Sequence, residues 1–151
     1  YDMTRRGLWH STMAGGAANI WGNLLLNGRP VDWETGSAPY PNKDAIKTYF
    51  VFFNDKGRFV RGMERANQLS PDKDTRVLRH SRQRYVFYRE DATSIRMNLS
   101  QMKTSSPAVA VDAKKPYEEI QVGPLDPAEH TWPAPYVSDW AIAVGTWETL
   151  R

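Results

Sequence analysis

The chain has 151 residues, 40% of them hydrophobic and 25% charged, the composition of a globular protein with room for one core, or for one small domain and a piece of another. It contains no cysteine, which excludes a disulfide framework and thiolate metal sites, and no apolar run of about 18 residues that could form a spanning helix. The formal charge of +3 is unevenly spread: residues 56–96 carry eleven Lys and Arg against five Asp and Glu, whereas 117–150 carry six acids and no Lys or Arg.

The opening Tyr1-Asp2-Met3-Thr4-Arg5-Arg6 has no apolar stretch behind it and is not a signal peptide. Without an initiator Met, it reads as a mature or cleaved product, or as a fragment. Residues 3–14 suit a helix, with Thr4 as cap and Leu8, Trp9, Thr12 and Met13 on one face. Gly15-Gly16 ends it, and Ala17-Ala18-Asn19-Ile20-Trp21-Gly22 follows as a strand whose small residues admit close neighbours. Residues 27–42 hold three Pro, two Gly, two Asn and two aromatics without periodicity, so a long functional loop is expected there. Helical spacing returns at 43–54, where Ile46, Tyr49, Phe50 and Phe53 share a face, Asn42 caps and Gly57 stops. A second short helix is expected at 58–68, with Phe59, Met63 and Ala66 inward.

After Ser70-Pro71-Asp72 the period changes from 3.6 to 2. Strands are expected near 76–80, 83–90, 93–99, 107–112, 117–123 and 139–145, with Arg89-Glu90-Asp91-Ala92 as a hairpin loop. Ile95, Met97 and Leu99 point one way, and Trp140, Ile142 and Val144 repeat the alternation. Short strands at about ten-residue intervals indicate a small antiparallel sandwich beyond a boundary near Pro71.

Chemistry-bearing motifs are sparse. His10, His80 and His130 lack zinc-ligand spacing, and His10-Ser11 has no third member for a hydrolytic triad. No metal and no cofactor is expected; Gly15-Gly16 is not a phosphate-cradling loop. Arg79 to Arg89 mixes basic and aromatic residues as a nucleic-acid-binding strand would, yet a turn followed by a half-buried strand has the same letters, and nucleic acid is not the expected partner. Asn98-Leu99-Ser100 is a possible N-glycosylation acceptor on an outward face. The opposed charges of 56–96 and 117–150 imply two segments that pack together or a basic segment facing an anionic partner, the former preferred. Six Trp and seven Tyr suit a Trp-rich core, and equally a surface that stacks on flat ligands.

The blocks Arg5-Arg6-Gly7-Leu8-Trp9, Met13-Ala14-Gly15-Gly16-Ala17-Ala18 and Trp21-Gly22-Asn23, with Arg84-Tyr85-Val86-Phe87-Tyr88 and Asp139-Trp140-Ala141-Ile142-Ala143-Val144, resemble the C-terminal end of apiosidase-like (β/α)8-barrel glycoside hydrolases. In that group a barrel is followed by a small β-domain of collagen-binding type. The loop at 27–42 and the stretch 100–136 depart from the pattern. The resemblance implies an α+β chain: 1–70 is the end of a catalytic barrel including its eighth strand, and 71–151 an accessory β-sandwich. It also implies a secreted enzyme acting on a polysaccharide or glycoside, without membrane attachment. The catalytic carboxylates of such enzymes would precede residue 1, so no catalytic residue is assigned. Asp32 and Glu34 are only loop acids near the site.

In this reading Trp21, Asn19 and Asn23 lie at the barrel mouth, and Trp33 lies in the loop beside it. An indole offers a face to sugar C–H groups, and an Asn amide both donates to and accepts from hydroxyls. The remainder of the same polypeptide, or another chain, is expected to cover residues 1–70. The alternative is a non-catalytic carbohydrate-binding or adhesion β-sandwich whose N-terminal helices pack beneath it.

Overall fold

The computed structural model describes residues 2–15, 25–26, 29–30, 43–58 and 62–147. Helix α1, Asp2–Met13, turns inward the face expected of it: Leu8, Trp9, Thr12 and Met13 are all buried. Two short strands, β1 (Leu25–Leu26) and β2 (Arg29–Pro30), pair antiparallel. The expected strand at 17–22, and with it any barrel unit, lies outside the described residues.

Helix α2, Lys43–Phe50, runs into a π-helical turn, Val51–Asp55. The wide turn is closed by the Lys56 amide donating to the Val51 carbonyl at 3.1 Å. One extra residue in a turn advances the inward face. Phe52 and Phe53 are therefore buried, and Phe50, expected inside, is 42% exposed. Gly57 ends the segment at φ +68.

The helix expected at 58–68 does not form among the described residues. Instead β3, Glu64–Arg65, pairs with the next strand, and a 3-10 turn covers Asn67–Leu69. Gly62 at φ +82 starts the new direction. The Val77 amide donates to Asn67 Oδ1 at 2.8 Å and the Ala66 amide to the Val77 carbonyl at 2.9 Å. Sheet pairing outweighs a weak local helical spacing.

The remaining strands are β4 (Arg76–His80), β5 (Arg84–Asn98), β6 (Ala108–Asp112), β7 (Ile120–Gln121) and β8 (Glu129–Val144). They form one six-stranded sheet in the order β3-β4-β5-β8-β6-β7, every pair antiparallel. The expected pair of sheets is thus one continuous sheet. The hairpin loop expected at 89–92 is absent, because β5 runs straight through it. Register against β8 shifts between Arg89 and Ala92 and again between Ala92 and Ser94, with Asp91 at φ +46. These bulges bend the long β5–β8 ladder. Inward parity moves from Tyr85 and Phe87 to Ala92 and then to Ile95 and Met97, so both halves of the ladder feed one hydrophobic cluster.

Strand β8 begins ten residues before the expected 139. Its first half contains Pro133 and Pro135 and pairs with β5 alone, since β6 reaches only residues 140–144. Proline is tolerated on such a free edge.

Each face of the sheet has its own cluster. Val77, Tyr85, Phe87, Trp140, Ile142 and Val144 meet Leu69, Leu99, Met102 and Leu125. On the other face Leu78, Val86, Tyr88, Val111, Ala141 and Ala143 meet α1 and α2. Ile95, Met97, Leu99, Trp140, Ile142 and Val144 are all under 2% exposed, each contributing about 1.5–3 kcal/mol of burial. Trp9 is the hub of the second face. It stacks on Tyr88 at 4.9 Å and 7°, with Phe52, Phe53 and Tyr49 rings at 5.2, 5.2 and 5.6 Å.

Candidate functional site

The four residues expected at a sugar cleft, Trp21, Asn19, Asn23 and Trp33, lie outside the described residues, as do Asp32 and Glu34. Asn98 closes β5. Its Oδ1 accepts from the Ser100 amide at 3.1 Å and from the Ser100 hydroxyl at 2.6 Å, a local turn formed by the Asn-x-Ser triplet itself.

Three polar constellations are brought together by the fold. The first fastens α1 to the sheet. Asp139, fully buried on β8, accepts from Arg5, from Arg6 Nε and Nη2 at 3.0 Å each, and from the Asp91 amide at 3.0 Å. Arg6 also lies 3.3 Å from Glu90, which holds His10 Nε2 at 2.7 Å. Burial by itself would raise the Asp139 carboxyl. The hydrogen bonds from Arg6, the Asp91 amide and Arg5 outweigh it and hold the group below the usual carboxylate value. Two of the sequence blocks that carry the resemblance therefore meet in one charge cluster. The legible signal was an acid at the head of an apolar run, Asp139-Trp140-Ala141-Ile142, since a charge there must be paired.

In the second constellation Arg58 lies 4.6 Å over the Phe52 ring and donates to the Phe52 carbonyl, the Tyr117 hydroxyl and Glu119 at 3.1, 3.2 and 3.4 Å. Burial pushes the Tyr117 hydroxyl up to about 12. Burial would also raise Glu119, but the Tyr117 hydrogen bond, Lys56 and Arg58 bring it below its ordinary value. These pairs join the basic and acidic segments as the charge pattern suggested, although Asp139 is met by Arg5, Arg6 and Lys114 from outside residues 56–96. In the third, Asp112 accepts from Ser138, Tyr136 and the Lys114 amide at 2.7, 2.8 and 2.9 Å, while Lys115 sits 4.3 Å over the Tyr136 ring. Carboxylates with this many hydrogen bonds fasten the elements that carry their donors.

A fourth arrangement is open to solvent. At the end of the sheet, the β4–β5 turn and the 101–103 loop enclose a groove of about 630 Å³ lined by Gly62, Glu64, Arg79, His80, Ser81, Arg82, Gln101 and Lys103. The turn is held in the left-handed region at Ser81 (φ 54) and Arg82 (φ 52). The Lys103 amide donates to the Arg82 carbonyl at 3.2 Å, and Gln83 Nε2 donates to the Thr104 and Ser106 hydroxyls at 3.2 and 3.1 Å. These residues belong to the basic-aromatic stretch noted in the sequence. Its aromatics Tyr85, Phe87 and Tyr88 are buried in the two clusters, whereas Ser81 and Arg82 at the turn are exposed. Among the described residues no three His, Asp or Glu side chains are grouped as a metal site, and no helix is long and apolar enough to cross a membrane.

The fold is shared with part of known glycoside hydrolases. One solved structure, described as a glycoside hydrolase, superposes over 78% of this chain and 28% of its own, with a TM-score of 0.54 and 12% identity. A glycoside hydrolase family 5 protein from Bacteroides vulgatus ATCC 8482 superposes over 68% of this chain and 23% of its own, with a TM-score of 0.51 and 11% identity. The chain thus spans about a quarter of the length of these proteins. No family model and no curated protein matches the sequence.

Proposed function

We propose that this chain is the C-terminal part of a secreted glycoside hydrolase acting on a polysaccharide or glycoside. In this reading residues 1–70 complete a catalytic (β/α)8 barrel, and 71–151 are its accessory β-domain. The observation that carries the reading is the likeness over 78% of this chain to 28% of a glycoside hydrolase, which includes more of the chain than the sheet alone. The narrower assignment to the apiosidase-like group with a collagen-binding-type domain rests on the short residue blocks. Trp21, Asn19, Asn23 and Trp33 are the proposed sugar contacts, with the acid pair supplied from elsewhere in the polypeptide. Asn98 is the proposed glycan acceptor where the secretory route provides the machinery.

The test has two arms. The 151-residue chain should hydrolyse no glycoside, and in the parent enzyme Trp21→Ala should lower kcat/KM about tenfold or more, at about 1.4 kcal/mol per factor of ten. Hydrolysis by the chain alone would make Asp32 and Glu34 the first suspects as acids. An unchanged kcat/KM in the variant would return Trp21 to a packing role.

One observation favours a second reading, a non-catalytic carbohydrate-binding or adhesion module. The apolar faces of α1 and α2 are covered by this chain's own sheet, as expected of helices that pack beneath a β-module. Glycan binding by the 151-residue chain, together with a parent polypeptide that hydrolyses no glycoside, would support it.

A further inference from the structure

We infer that the groove at the β4–β5 turn is a binding site for an acidic polysaccharide, one whose sugar units carry carboxylate or sulfate groups. This rests on the carbohydrate reading above and adds to it a ligand class and a site. Three cations, Arg79, Arg82 and Lys103, line the groove together with His80. Among the described residues, none of these three cations stands in an ion pair, in contrast to Arg5, Arg6, Arg58, Arg89 and Arg96, each of which has a carboxylate partner. Glu64, opposite Arg79 in the sheet register, is the one acid among the described residues of the lining, so the cations outnumber it and leave a net positive groove that attracts an anion.

The site is also braced. The Lys103–Arg82 backbone bond and the Gln83 bonds to Thr104 and Ser106 tie the two loops together, so little order is lost on binding. Its volume of about 630 Å³ lies within the range of about 300–1,000 Å³ typical of small-ligand sites.

The lining distinguishes sugar from nucleic acid. Among the described residues, the His80 imidazole is the one aromatic ring lining the groove, since Tyr85 and Phe87 are buried in the first cluster, and bases would find little to stack on. Glu64, Ser81 and Gln101 share the same lining. An acceptor carboxylate among the cations repels a continuous phosphate chain but suits a ligand that alternates anions with hydroxyl donors.

Affinity electrophoresis of the protein through gels containing polygalacturonate, fully methyl-esterified polygalacturonate, dextran sulfate, neutral dextran or oligo-dT tests this. Retardation is expected by polygalacturonate, dextran sulfate or both, and which of them acts tells whether carboxylate or sulfate is recognised. The neutral gels should not retard, and the effect should weaken with salt. The double variant Arg82→Ala/Lys103→Ala, at two exposed positions, should lose about tenfold in affinity. Lys47→Ala, on the exposed side of α2, should lose none. Equal retardation by the esterified polymer would overturn the anionic site while leaving carbohydrate binding intact. Retardation by oligo-dT alone would overturn the sugar assignment. Loss in Lys47→Ala equal to that in the double variant would reduce the effect to net charge and overturn the site.

Discussion

Asp139 joins the helical and sheet parts of the chain through one carboxylate. Its pKa in the folded protein lies below the ordinary 3.8, so folding favours the ionised form. The stabilisation is complete above 3.8 and disappears as pH falls through the depressed value. Thermal unfolding followed from pH 7 to pH 2 should therefore show a steep loss of Tm below about pH 4. Asp139→Asn removes the buried charge on which Arg5, Arg6 and the Asp91 amide converge and should cost about 3–5 kcal/mol. The acid limb should be flatter in that variant, and an unaltered limb would assign it to other carboxylates. Tyr88 offers the opposite case. Its hydroxyl is buried without a hydrogen-bond partner among the described residues, and burial holds it protonated. Tyr88→Phe removes a desolvated group while keeping the stack on Trp9, so denaturant titration should find stability unchanged or raised by about 1 kcal/mol.

At the scale of elements, the β5–β8 ladder decides the architecture. Strand β8 is followed by Gly145, whose φ of +115 is one that other residues rarely adopt. A β-carbon there would lie 2.5 Å from the Gln83 carbonyl oxygen, and the obstacle is backbone rather than a movable side chain. Gly145→Ala should thus destabilise by about 1–3 kcal/mol, measurable as a lower urea midpoint with an unchanged slope. A substitution without effect would mean that the Gln83–Arg84 turn yields at little cost. The bulges at 89–94 work differently. They place the Asp91 amide on Asp139 and turn Ala92 into the first cluster, so the same irregularity bends the ladder and completes the anchor for α1.

For the whole molecule, the two clusters imply different dependence on the N-terminal residues. The face bearing Leu78, Val86, Tyr88, Val111, Ala141 and Ala143 is covered by α1 and by the segment from α2 to Phe53. A chain shortened to residues 62–151 would expose that face and lose the Trp9 ring cluster. It should bind a dye for exposed apolar surface and associate in analytical ultracentrifugation, because large exposed apolar patches drive association. The 151-residue chain should melt in a single transition. A monomeric, cooperatively folded 62–151 would show that the sheet stands without its helices.

Much of this arrangement was legible in the residues themselves. The apolar spacing of Leu8, Trp9, Thr12 and Met13, the alternation of Ile95, Met97 and Leu99, and the Trp140–Val144 strand are local periodicities, and local periodicity survives in any context that buries one face. The errors fell where distant partners decide. Arg89–Ala92 has the composition of a turn, yet pairing with β8 carries β5 through it as a bulge. The prolines at 133 and 135 argue against a strand until one sees that this half of β8 has a free edge. Phe50 gave way to Phe52 because a π-turn lets Trp9 gather more rings. The cations of the β4–β5 turn were visible as a basic stretch. That they share a groove with Lys103 and Glu64 was not, because residues so far apart in sequence meet only through sheet register, which depends on the summed burial of both faces rather than on any local run.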